Sequence, residues 1–79
     1  MKLSELKKGE RALIIAMNAS EDLKKRLHSF GVVKGSELSV EDYSLANKTM
    51  EIMVDDTLIG LRANEAEHIE VEKITDDGK

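Results

Sequence analysis

Glu65, Glu67, His68, Glu70 and Glu72 form the densest run of ligand-type side chains in the sequence. If the segment is a strand, Glu70 and Glu72 share one face, and their carboxylates suit a hard or borderline divalent cation such as Fe(II). The spacing does not resemble a tetrahedral site, and no cysteine is present to strengthen one. The run therefore predicts at most a weak metal site, and the simpler reading is the wet face of an edge strand. A second group, Lys24, Lys25, Arg26 and His28, lies in a stretch with helical spacing and could dock an acidic partner. On a helical wheel Lys24, Lys25 and His28 point away from the apolar stripe. Arg26 lies on its border, where its stem can lie on the core and its guanidinium can bond to loop carbonyls.

Catalysis finds little to build on. No serine stands in a glycine-framed elbow, and His28 and Ser29 are helical neighbours that do not face each other. The five glycines are scattered, with neither GxxxxGK nor GxGxxG among them. Asp55-Asp56 reads more simply as a turn than as a carboxylate pair. A non-enzyme is expected.

Composition narrows the field further. Net charge is −4, and it is unevenly placed. Residues 1–35 carry eight Lys/Arg against four Asp/Glu, and residues 36–79 carry four against twelve. An acidic chain with one Tyr, one Phe and no Trp lacks both the charge and the stacking surface for nucleic acid. The same shortage rules out an aromatic groove for proline-rich peptides. The longest apolar run, Ala12 to Met17, is far short of the roughly 20 residues of a membrane helix. With no cysteine and no export signal, the expected location is cytoplasmic, without direct membrane insertion.

The elements that must position these groups follow from local pattern. A chain of 79 residues makes one domain, expected over 1–74, with a polar tail at 75–79. Leu3 and Leu6 suggest one helical turn, and Lys8-Gly9 a tight turn. Arg11 to Met17 reads as a strand buried over much of both faces. Ser20 caps a helix with Glu21 and Asp22 in its first turn; Leu23, Leu27 and Phe30 form its stripe, and Gly31 stops it. Glu21–Lys25 and Asp22–Arg26 are spaced for i,i+4 pairing. After Lys34-Gly35, Leu38 and Val40 alternate, followed after a break in phase by Asp42 or Tyr43. Met50, Ile52 and Val54 alternate ahead of Asp55-Asp56, and Ile59 and Leu61, or Leu58 by the other phase, after it, as a hairpin. Gly60 within a strand suggests a sharp bend or a close approach by another backbone. "ANEAEH" allows one helical turn, and Ile69 to Ile74 a last strand.

Five short strands, turn glycines and one helix predict a mainly β fold: a small antiparallel barrel closed at one end by the helix, with a short turn near each chain end. The expected core is Leu3, Leu6, Ile14, Leu23, Leu27, Phe30, Val32, Leu38, Val40, Ile52, Val54, Ile59, Leu61, Ile69 and Val71.

The order "LSELKKGERALI", "LKKRLHSFGVVKGSELSV", "MEIMV", "LIGLRANEAEHIEV" resembles the FeoA family, small cytoplasmic components of bacterial ferrous iron uptake. The resemblance spans Leu3 to Val71, with Arg26, Leu27, Gly31, Gly35 and Leu61 as its structural motif, continued by Arg62, Glu65, Ala66 and Ile69. It implies an SH3-like barrel. It also implies a partner, a FeoB-like membrane permease with a GTP-binding domain, whose transport or nucleotide turnover the chain modulates without catalysis at the inner membrane face. Lys24, Lys25 and His28, with Arg62 nearby in the family pattern, are the expected partner surface. The sequence departs from the family at Lys8 and Lys34, where proline is common, in the proline-free loop Ser44 to Thr49, and at the glycine-free Asp55-Asp56 turn. A related barrel ends metal-dependent repressors, but no helix-turn-helix stands in this sequence. The alternatives are a divalent-metal-binding or metal-sensing barrel on the glutamate run, and a homo-oligomeric module that pairs through an exposed edge strand.

Overall fold

A computed structural model describes residues 1–75. A 3-10 turn at Leu3–Glu5 leads into β1 (Arg11–Met17), followed by α1 (Glu21–Ser29), β2 (Glu37–Ser44), β3 (Thr49–Val54), β4 (Thr57–Arg62), α2 (Ala63–Ala66) and β5 (Ile69–Ile74). The strands form one antiparallel sheet in the order β4-β3-β2-β1-β5. The expected tail at 75–79 lies outside the described residues, apart from the exposed Thr75.

The sheet curls because two bulges bend it. Register slips in β1 between Ile14 and Ala16, and in β2 between Val40 and Asp42. Each extra residue, Ile15 and Glu41, is left without an opposite number and increases local twist. The second bulge is the break in phase visible before Tyr43, whose ring packs partly buried against the core. The hairpin between β3 and β4 turns through Asp55 (φ 49°) and Asp56 (φ 69°), with Val54 opposite Thr57. Two consecutive positive φ values match the type I′ turn, whose twist suits the flanking strands.

The inward faces meet in one core of Leu3, Leu6, Ala12, Ile14, Leu38, Val40, Met50, Ile52, Val54, Ile59, Leu61, Ala66, Ile69 and Val71, which Leu23, Leu27 and Val32 complete. Among the described residues, none of the buried ones is polar or charged. Burial of side chains of this size stabilises by about 1.5–3 kcal/mol each before chain entropy is counted.

Three expectations are corrected. Phe30 is 45% exposed, outside the core. The helix ends at Ser29; the Gly31 N–H donates to the His28 carbonyl and the Val32 N–H to the Leu27 carbonyl. This paired C-terminal cap reverses the chain at Gly31 (φ 84°) and brings Val32, not Phe30, against Leu27. β1 is buried on one face only: Ala12 and Ile14 point inward, while Ile15 is 43% exposed. Gly60 marks neither a bend nor an approach within the chain. It stands opposite Glu51 in unbroken register, and nothing lies within 4 Å of where its Cβ would be.

Candidate functional site

The basic face is built on α1. The Ser20 hydroxyl accepts from the Leu23 N–H at 3.3 Å, and Glu21 and Asp22 occupy the first turn, so the positive end of the helix dipole is capped and compensated. Leu23 and Leu27 are turned into the core, which forces Lys25 and His28 outward, where both are exposed. Lys24 is half-buried and its Nζ lies 3.8 Å from Glu21, one turn back. The ion pair is therefore i,i+3, in place of the expected Glu21–Lys25 pair.

Arg26 leaves its own helix. Its Nη2 donates to Glu65 Oε1 at 2.9 Å, tying α1 to α2 across the end of the barrel. The carboxylate of α2 takes the place of the expected loop carbonyls and of Asp22. The same Glu65 Oε1 accepts from the Arg62 N–H at 2.9 Å. Glu65 occupies the third position of α2 and reaches back to the N-cap amide of Arg62, one half of a capping box. Burial pushes the Glu65 carboxyl up, but the Arg62 amide, the Arg26 hydrogen bond and the two guanidinium charges outweigh it and hold the group below the usual carboxylate range. The spacing Arg62-x-x-Glu65 could signal the cap at the Arg62 amide, since a glutamate at the third helical position reaches back to the N-cap N–H, but nothing local signals Arg26.

Arg26, Thr49, Met50, Glu51, Gly60, Leu61, Arg62 and Glu65 line an open cleft of about 320 Å³ at the α1–β4 side of the barrel. Arg62 is exposed there and also borders the loop at Asn47 and Lys48. The structure thus joins Arg26, Leu61 and Arg62 at one place, with Lys25 and His28 exposed and Lys24 half-buried on the helix that carries Arg26. Gly31 and Gly35 serve the backbone, at φ 84° and 96°, in the turns before Val32 and β2.

The glutamate run is dispersed. Glu65 is held by Arg26, and Glu70 Oε2 lies 3.5 Å from the Met1 amino group. Glu67, His68 and Glu72 are exposed. Among the described residues, no three His, Asp or Glu side chains converge as a metal site would require. A surface that sequence reasoning missed lies elsewhere: Leu6, Tyr43 and Leu45, with Lys7 and Lys8, line another open cleft, and Leu45 is 81% exposed. Nothing in the spacing signalled it, because Leu45 stands in a loop without periodicity.

No helix among the described residues is long and apolar enough to cross a membrane. Residues 1–73 match the model of the FeoA domain. Over 74 residues the chain is 43% identical to a Campylobacter jejuni protein named Fe(2+) transport protein A, covering 94% of this chain and all of that one. The solution NMR structure of FeoA from Chlorobium tepidum superposes with a TM-score of 0.90 at 37% identity, over 99% of this chain and 75% of that one. FeoA of Stenotrophomonas maltophilia, solved with zinc and described as a prokaryotic SH3 domain protein, gives 0.78 at 26% identity, over 91% and 89% of the two chains. A five-stranded SH3-like barrel that matches the family model over nearly its whole length, and a close relative from end to end, belongs to the FeoA family of ferrous iron transport.

Proposed function

We propose that this chain is a non-catalytic accessory protein of ferrous iron uptake, which docks on the cytosolic part of a FeoB-like permease and modulates its transport or nucleotide turnover. One observation carries the reading. The FeoA match coincides with a barrel that exposes Lys25 and His28 on one helix, beside the half-buried Lys24 and with Arg62 exposed nearby, in a chain of net charge −4. A basic face on an acidic molecule steers it towards an acidic partner in one orientation. The core beneath is wholly apolar, so the charged face can be altered without touching what holds the barrel together.

Binding to the permease's soluble GTP-binding domain, measured by calorimetry in each nucleotide state, tests the proposal. Lys24→Glu/Lys25→Glu is expected to fold normally and to bind at least about tenfold more weakly, with the wild-type interaction weakening as salt rises. Absence of wild-type binding in every nucleotide state refutes it. Unfolding of the double variant shows instead that the helix face is structural.

A further inference from the structure

Gly60 is a glycine without an internal reason. It sits in an unbroken ladder, and the space above it is empty. It also lies on β4, which is an edge of the sheet. In the β3–β4 hairpin Val54 and Thr57 flank a two-residue turn, so Thr57, Ile59 and Leu61 exchange hydrogen bonds with β3. Leu58, Gly60 and Arg62 then direct their N–H and C=O groups away from it. The Arg62 N–H, which bonds the Glu65 carboxylate, confirms this alternation and closes that end of the edge. The backbone groups of Leu58 and Gly60 remain as an open docking edge, with no lysine or proline between Thr57 and Leu61 to blunt it.

We propose that the β4 edge pairs with the β4 edge of a second copy of this chain, antiparallel, about a two-fold axis through Ile59. This register uses every outward backbone group. The N–H and C=O of Leu58 bond those of Gly60 in the second copy, and the reverse, giving four hydrogen bonds. Side chains opposite each other in an antiparallel pair point to the same face. On the outer face the 51%-exposed Leu58 therefore lies over the empty position of Gly60 in the second copy, and continues an apolar row begun by Met53 on β3. Asp56 falls opposite Arg62 of the second copy, twice by symmetry, and both residues are exposed in the single chain. Opposite charges at both ends and a side chain facing a vacancy at the centre make the edge complementary to itself. A one-residue slip brings Leu58 opposite Leu61 or Ile59 and sends the side chains of each pair to different faces. The contact is small, so the dimer is weak and grows in with concentration.

Sedimentation velocity and amide NMR from tens of micromolar to about 1 mM read the association directly. Self-association is expected in that range, with shifts and slowed exchange centred on the Leu58 and Gly60 amides. Gly60→Val fills the vacancy; the monomer stays folded, because nothing contacts that position, while dimerisation weakens at least about tenfold. Asp56→Lys and Arg62→Glu each set like charges opposite and weaken it about tenfold, and the combined exchange restores it. The restoration depends on the register, so simple damage to the hairpin does not reproduce it. A chain that stays monomeric at about 1 mM overturns the proposal, as does association untouched by Gly60→Val or shifts centred on another surface.

Discussion

The single Oε1 of Glu65 holds two donors, Arg26 of α1 and the amide of Arg62, the last residue of β4 and N-cap of α2, and the two can be separated by mutation. Arg26→Met keeps the apolar stem and removes only the ion pair. Its side chain is 45% exposed and that of Glu65 24%, so the pair is largely screened and its loss is expected to cost about 0.5–1 kcal/mol. Glu65→Ala removes the same pair and also strands the Arg62 N–H; the lost cap adds about 1 kcal/mol, for a total of about 1.5–2 kcal/mol. For a domain of this size 1 kcal/mol moves the melting temperature by about 4–8 °C, so the two variants should melt about 4 °C and about 10 °C below wild type. Urea unfolding at pH 7 gives both free energies, and the double variant closes a cycle that isolates the Arg26–Glu65 coupling. Equal losses in the two single variants would refute the second role of Glu65. A coupling below about 0.2 kcal/mol would show that α1 and α2 are not tied through this pair.

Leu27→Ala, at a fully buried site, is expected to cost about 2–5 kcal/mol, whereas Phe30→Ala, at a half-exposed one, should cost less than about 1 kcal/mol; thermal unfolding of the pair separates them. Replacing Asp55-Asp56 by Asn-Gly relieves two left-handed aspartates and should stabilise by about 1 kcal/mol, read as a rise in the urea midpoint. Acid should destabilise the fold through Glu65 and Glu10, the latter held below its usual range first by the Lys73 hydrogen bond and then by the Lys7 amide. Because the folded-state values are depressed, this stability is complete above the unfolded carboxylate value near 4.5 and is lost as pH falls through the lower folded values. Glu65→Gln should therefore flatten part of the fall in melting temperature between about pH 5 and pH 3 while lowering it at pH 7.

Local signals carried much of the fold. Ser20, the acidic first turn and Gly31 bounded α1 because caps and left-handed positions are set by residues next to one another. Alternation on β3, β4 and β5 gave the inward side chains for the same reason. The failures arose where distant segments decide. Phe30 continues the helical period by count, but the chain has already reversed, and Val32 competes successfully for the place beside Leu27. The apolar run of β1 looked two-sided because its sequence holds no polar residue between Ala12 and Met17; its second face is exposed at the bulge. At the site, the outward direction of Lys25 and His28 was legible from the stripe. The partner of Arg26 was not, because Glu65 is 39 positions away and only the folded barrel brings α2 beside α1. In the sequence Glu65 is only one of a run of weak candidate ligands, since a carboxylate among carboxylates gives no sign of an arginine arriving from elsewhere.

The position of β1 in the sheet bears on how the molecule comes into being. It lies between β2 and β5, and its first residue, Arg11, stands opposite both Ser39 and Ile74. During synthesis the start of the chain must wait, with one side unmatched, until residues 69–74 have cleared the ribosome. Such wide loop closure slows folding relative to a helical protein of equal length. The β1 edge is therefore paired only after β5 has been made, and any nascent fragment that stops before Ile69 leaves that side of β1 unmatched.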